Sequence, residues 1–338
     1  MSFRCTAVPV LMILFTLISA GASADFSRFE SLKPIEDHLQ KIVEKYDFKQ
    51  FESKIGDPID DDGAQRYPLE IGFSFVGSEN ILPFIKDMEA FEAEHLSFRV
   101  FSFQVCVTAE MRRGDYRPIL FATIFANARE GSNAGKQPQF HSGVLQAALE
   151  RLSFDSAIDR NKQIVAGKDG WLTNIRHESP SRSDSKVAIT GYTFTFSRIV
   201  ELARLLAESD GTAEVSVASL KSDLYSGHPL FRFELSAALN RASPIPPHAW
   251  EFFTLIDAAV SSSNGRISSL KSAPSINVQE KFGLPVEISF ENLVTDEWIA
   301  LKQKLSELKG EKVSLAGTSD KGMMDKGFTL RLKVVVEP

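Results

Sequence analysis

Tyr67-Pro-Leu-Glu-Ile-Gly-Phe73 and Leu284-Pro-Val-Glu-Ile-Ser-Phe290 are one phrase written twice, with Pro, Glu, Ile and Phe recurring at a constant offset. The register continues without a gap. Ser78-Glu79 meets Thr295-Asp296, both suited to capping a helix N-terminus. Ile81, Phe84, Met88 and Phe91 then meet Trp298, Leu301, Leu305 and Leu308. A spacing of i, i+3, i+7 and i+10 lays each set on one face of an amphipathic helix. Self-similarity at a long offset signals repeated structural units. A third copy is read between these two. There, residues 187–196 alternate like a strand, Ser197 is a candidate cap, and Ile199, Leu202 and Leu206 repeat the helical face.

Outward from these stretches the pattern extends in both directions. Two β-like runs follow each helix: 98–107 and 119–126, 213–220 and 230–239, 312–316 and 328–336. Each unit is preceded by a further helix, at 32–46, 144–152 and 249–260, and a short β-like run, at 48–55, 171–175 and 266–270. Leu32, Ile35, Leu39, Ile42, Val43 and Tyr46 form the apolar face of the first of these helices. The chain is therefore predicted as α-β-β-α-β-β three times over. That is an α+β protein of three tandem modules, each a mainly antiparallel sheet with its helices on one face. Turn formers place linkers at 129–139 and 240–247. The expected domains are 25–130, 140–240 and 246–338, after a leader at 1–24. The segments 57–63, 178–185 and 320–327 read as exposed hairpin loops.

Gly170-Trp-Leu-Thr-Asn-Ile175, a polar loop, Val187-Ala-Ile-Thr-Gly191 and a Ser197-initiated helix resemble the periplasmic domain of the type IV pilus assembly protein family PilN. Pro68-Leu-Glu-Ile-Gly-Phe-Ser-Phe-Val-Gly77 and its partner at Pro285 are similar to the corresponding stretch of the companion family PilO. The resemblance implies ferredoxin-like modules that bind each other and neighbouring components of pilus or type II secretion machines, without catalysis. This chain departs from both families in carrying three modules, in lacking heptads, and in having only a four-residue region before its apolar segment.

That segment has the grammar of a secretory signal: Arg4, an apolar run from Ala7 to Ala20, and Ala22-Ser23-Ala24 before Asp25. Ala22, Ala24 and Asp25 flank the expected cleavage point. The charge-free stretch 5–24 is also long enough to cross a bilayer uncleaved, but Pro9 and the Ala-x-Ala ending favour removal. The expected location is the periplasm, with an inner-membrane anchor if the leader is retained. No later run is apolar enough to span a membrane.

Composition narrows the function classes. Acidic residues number 44 against 38 basic, a net charge of -6, and no concentrated basic face is present, so nucleic acid is not an expected partner. Cys5 lies in the leader, which leaves Cys106 unable to form an internal disulfide. Stability must come from packed cores, for which the 26 Phe are material.

Catalytic and metal chemistry were sought and not found. Asp57, Asp60, Asp61, Asp62 and Gly63 suggest a calcium loop, but with Gly63 at the sixth position Pro58 and Leu69 would fall where oxygen ligands are required. A solvated acidic hairpin is the better reading. His38, His95, His141, His177, His228 and His248 form no helical ligand pair. His38 reads as a packing residue. Ser219-Leu-Lys221 and Ser269-Leu-Lys271 lack the spacing of a serine-lysine nucleophile, and Cys106 sits in a strand with no neighbouring base. Arg112-Arg113-Gly114 reads as a hairpin tip, and Trp171, Trp250 and Trp298 as core anchors. No cofactor or metal is expected. The expected protein is a non-catalytic periplasmic scaffold that binds envelope or membrane-complex proteins, or itself, through open sheet edges or an uncovered sheet face. The alternative is a periplasmic small-ligand-binding protein or enzyme with its site between modules.

Overall fold

The computed structural model describes residues 26–46, 48–61, 64–76, 79–90, 92–93, 96–107, 119–130, 142–159, 161–178, 185–209, 214–239, 250–262, 265–273, 276–278, 281–307, 313–315, 319–323 and 327–336. Ser78, Phe91, Leu308, the leader and the central parts of both expected linkers lie outside them. The chain divides into two compact units, Met1–Gln139 and Phe140–Pro338.

The first unit contains α1 (Phe26–Tyr46), β1 (Lys49–Ile55), β2 (Ile59–Asp61), β3 (Ala64–Val76), α2 (Ile81–Ala90), β4 (Glu92–Ala93), β5 (Leu96–Val107) and β6 (Ile119–Glu130). Its antiparallel sheet has the order β1-β3-β6-β5, with β2 beside β3 and β4 beside β5. The phrase at 67–73 lies in β3. Tyr67, Leu69, Ile71, Phe73 and Phe75 are buried while Glu70 is exposed, the period-2 pattern of a sheet with one covered face. Phe48, Phe73 and Phe84 form the centre of this core. Their rings lie 4.1 Å apart and stacked (Phe48–Phe73), and 4.8 Å apart edge to face where Phe84 meets each of the other two. Ile81, Phe84 and Ile85 of α2 and Ile35, Leu39 and Ile42 of α1 close over the sheet. The Lys45 ammonium and the Tyr46 hydroxyl at the end of α1 both donate to the Asp87 carboxylate of α2, tying the two helices together.

The second unit contains α3 (Ser142–Arg151), β7 (Gly170–Glu178), β8 (Ser185–Thr193), α4 (Phe196–Glu208), β9 (Glu214–Tyr225) and β10 (His228–Leu239), then α5 (Glu251–Ser261), β11 (Arg266–Ser272), β12 (Ile276–Val278), β13 (Lys281–Glu291), α6 (Thr295–Glu307), β14 (Val313–Leu315), β15 (Ser319–Met323) and β16 (Gly327–Val336). Its strands run β7-β8-β10-β9-β11-β13-β16-β14, with β12 beside β13 and β15 beside β16. Two stretches of sheet thus become one where β9 meets β11, Lys221 opposite Ser269 and Leu220 opposite Leu270. The buried Val217 N–H donates to Ser272 Oγ at 2.7 Å and completes the join. On the covered face Leu172, Ile175, Ile189, Phe233, Leu235, Leu220, Leu270, Ile288 and Phe290 meet Leu202 and Leu206 of α4, Phe253 and Ile256 of α5, and Trp298 and Leu301 of α6 as one buried layer.

Several boundaries differ from expectation. Strand β9 runs to Tyr225 because Ser226 (φ 50°) and Gly227 (φ 82°) make a two-residue turn of the type I′ form, which carries the β9–β10 ladder to its tip. Strand β6 runs to Glu130, into the expected linker. Ser197 does not cap α4: Thr195 occupies the N-cap position, without a side-chain bond. Thr295 is the first residue of α6, whose end is satisfied instead by Glu297, its carboxylate accepting the Val294 N–H at 3.1 Å.

Gly191 shows why the 187–191 stretch has its composition. A Cβ there would lie 2.5 Å from the Trp171 carbonyl oxygen and 2.8 Å from the Phe233 ring. Gly191→Ala should therefore lower stability by about 1–3 kcal/mol, the cost of overpacking, read as a lower urea midpoint at unchanged slope. Gly72→Ala, whose nearest neighbour is the Phe121 ring at 3.4 Å, should cost less.

Candidate functional site

The groove where α4 meets α5 is the place to look for a ligand site between the second and third predicted modules. It has a volume of about 480 Å³ and is lined by Asp169, Thr195, Ser197, Arg198, Val200, Glu201, Arg204, Glu251 and Thr254. That volume falls within the range of ligand pockets. Its charges are already paired with one another. Arg198 donates to Asp169 and, at 2.6 Å, to Glu201. Arg151 of α3 lies 3.3 Å from Glu201, while Arg204 lies 3.1 Å from Glu251 and 3.9 Å from Glu208. Asp169 above all, against some desolvation, holds the Arg198 guanidinium charged more firmly than usual. These contacts commit the charged groups of the groove to one another. No His or Cys lines the groove. The ion pairs link α3, α4 and α5 across the helix layer, at about 0–1 kcal/mol for each exposed pair.

The other candidates of the sequence are placed as follows. His38 is buried with its ring 5.1 Å from that of Phe98, and burial, followed by the Lys41 charge, lowers its pKa to about 4. His177 is buried and its Nε2 shares a 3.0 Å hydrogen bond with Ser185 Oγ across β7 and β8. His228 is exposed at the start of β10. Cys106 is buried in β5. Asp60 and Asp61 lie in β2, paired with Gln65 and Ala64, so their backbone is extended and not wrapped as a calcium loop. Among the described residues no cluster of three His, Cys, Asp or Glu is placed to hold a metal. Ser269 does face Lys221, but Lys221 is solvent-exposed, the opposite of the desolvation that activates an amine. Asp257 of α5 is half-buried and its pKa is raised by that burial. His95, His141, His248, Arg112-Arg113-Gly114 and the cleavage flank Ala22, Ala24 and Asp25 lie outside the described residues.

The face of the second unit's sheet opposite the helices is polar and accessible. Trp250 and Trp298 are buried core anchors, against Phe253 at 5.5 Å and Phe290 at 5.7 Å. Trp171 is not. It is half-buried on the open face, stacked on Tyr192 across the β7–β8 ladder with ring centres 4.9 Å apart and 22° between planes. Next in the same row come Arg232 and Lys221, directly opposite each other and both exposed. Burial raises the Tyr192 pKa, with the Arg232 charge acting against it. Sequence reading missed this row because it depends on the β9–β10 register. The Ser226-Gly227 turn was the available signal, since a two-residue hairpin turn sets which residues face each other.

The second unit thus presents a one-sided α+β sheet with an internally ion-paired groove and an accessible opposite face. A family profile described as fimbrial assembly protein (PilN) matches residues 164–239, from the loop before β7 to the end of β10. Residues 164–239 are thus similar to the fimbrial assembly protein family PilN. No curated protein and no solved structure matches the chain. No helix among the described residues is long and apolar enough to cross a membrane.

His38 gives a pH prediction. Its folded pKa of about 4 lies below the ordinary 6.5, so between these values the unfolded chain binds a proton that the folded chain refuses. Its contribution is intact above pH 6.5 and is lost as pH falls towards 4. The difference in urea midpoint between wild type and His38→Leu should therefore shift in favour of the variant as pH falls through that window. A difference independent of pH would show that His38 titrates normally.

Proposed function

We propose that the chain is a non-catalytic envelope scaffold of three ferredoxin-like modules, at 25–130, 140–240 and 246–338, exported to the periplasm by a leader cleaved after Ala24. It serves assembly of a pilus-like or secretion-like structure by binding other envelope proteins. The observation that carries this reading is the PilN match over 164–239, which coincides with one predicted module. The strand orders β1-β3-β6-β5, β7-β8-β10-β9 and β11-β13-β16-β14 support it, because each set places its fourth main strand between the second and third. A ferredoxin-like sheet entered at a different element would have this order, which favours the reading.

The contact surface we favour is the uncovered sheet face. Edge pairing has less room. β9 has its outer side taken by β11, and β1 is bulged between Lys49 and Glu52, holds Gln50 at φ 50°, and exposes Lys49, Glu52 and Lys54. Bulges and charges of this kind are devices that prevent edge-to-edge association. The ligand or enzyme alternative has the α4–α5 groove as its footing, but the internal ion pairing there supports it less.

Chemical crosslinking in native membranes, followed by purification of the tagged chain and sequencing of its N-terminus, tests the proposal. The expected result is recovery of pilus, secretion or envelope-assembly proteins with Asp25 at the N-terminus. Recovery of none of these would overturn the scaffold reading, and a retained Arg4 to Ala24 segment would overturn the cleavage.

A further inference from the structure

The row Trp171–Tyr192–Arg232–Lys221 departs from the pairing that most facing charges in the described ladders follow. Where charged residues face each other across described ladders, Lys54 faces Glu70, Lys186 faces Glu178, Arg266 faces Glu291 and Lys271 faces Glu287. Each pairs opposite signs, as sheet stability favours. Arg66 faces Arg129, but Arg66 has an interaction of its own. Arg232 faces Lys221, and neither side chain has a hydrogen-bond or ion-pair partner among the described residues. The nearest acids on the same face are two residues along each strand. Asp223 accepts the Leu224 N–H, and Glu234 lies in the next row, opposite Ser219 and Thr190. Like charges directly opposed in a sheet cost stability, so this pair is held against the preference of the fold itself. Beside it stand the only half-exposed tryptophan among the described residues and its stacked tyrosine.

We propose that this row is a docking site for an acidic segment of a protein partner, its carboxylates meeting Arg232 and Lys221 and an apolar side chain packing on the Trp171–Tyr192 rings. The inference rests on the scaffold reading and names the chemistry of its partner. Charge complementarity selects the occupant. Two adjacent cations without a hydrogen-bond or ion-pair partner among the described residues call for carboxylates, and neighbouring rings call for apolar contact, a combination that acidic peptide segments supply. A bilayer of anionic lipid fits less well, because two cations supply only about 1 kcal/mol each at such a surface and the chain carries a net charge of -6.

The test uses the full exported chain and three probes: a synthetic peptide alternating Glu with Leu and Phe, its Lys-for-Glu counterpart, and phosphatidylglycerol vesicles. The acidic peptide should bind, more weakly as salt rises, and the basic peptide and vesicles should not. Lys221→Glu and Arg232→Glu should each weaken acidic-peptide binding about tenfold or more, while Lys54→Glu, in the first unit, leaves it unchanged. Each reversal should at the same time raise the urea midpoint, since it replaces a like-charge pair by an opposite one. A merely structural row would not weaken binding while gaining stability. Equal binding of both peptides, unchanged binding by the reversed variants, or preference for vesicles would overturn the proposal. In native-membrane crosslinking, a partner kept by the Lys221→Glu, Arg232→Glu double variant removes the docking row and leaves the scaffold reading standing. A wild-type chain that captures no envelope-assembly partner removes the scaffold reading, and the peptide data then decide the row separately.

Discussion

Each sheet of this protein is covered by helices on one face, and the rest of the structure follows from that asymmetry. A strand with one dry face must alternate, which is why Tyr67, Leu69, Ile71, Phe73 and Phe75 point one way and Glu70 the other. Along β8 and β10 the same rule buries Val187 and Ile189, and Phe231, Phe233, Leu235, Ala237 and Leu239, while Lys186, Tyr192, Arg232 and Glu234 remain accessible or half-accessible. The core and the open polar face are two sides of one backbone.

The join between β9 and β11 turns that local rule into a larger architecture. Two main-chain pairs, the Val217–Ser272 hydrogen bond and the packing of α4 against α5 use up an edge that an isolated sheet would expose. The groove above this join looks like a ligand site by volume and behaves like a clamp by charge, because each arginine in it already faces a carboxylate.

Legibility in the sequence differed from feature to feature, for identifiable reasons. His38 and Cys106 are buried, in line with their reading as packing residues, because burial periodicity is a local property. Trp171 was misread as a core anchor. Tryptophan identity does not reveal which side of a strand it occupies, and strand alternation turns Trp171 to the face opposite the buried Leu172. The residues of the groove were not legible, since Asp169 before β7, Arg198 and Arg204 of α4 and Glu251 of α5 are brought together only by the fold.

By itself the sequence determined the α+β class, the order of the main helices and strands but not the short strands β2, β4, β12 and β15, two of which fall in segments read as loops, the duplicated phrase at 67–73 and 284–290, and most residues that fill the core. These depend on periods of 2 and 3.6 residues and on turn chemistry, which act over a few neighbours. Tertiary structure alone decided that β9 and β11 would share one sheet, that the groove would neutralise itself, and that Arg232 would stand against Lys221. Those outcomes depend on register and on which elements meet across long chain separations, and a shift of one residue in a ladder would have turned the same side chains to the opposite face.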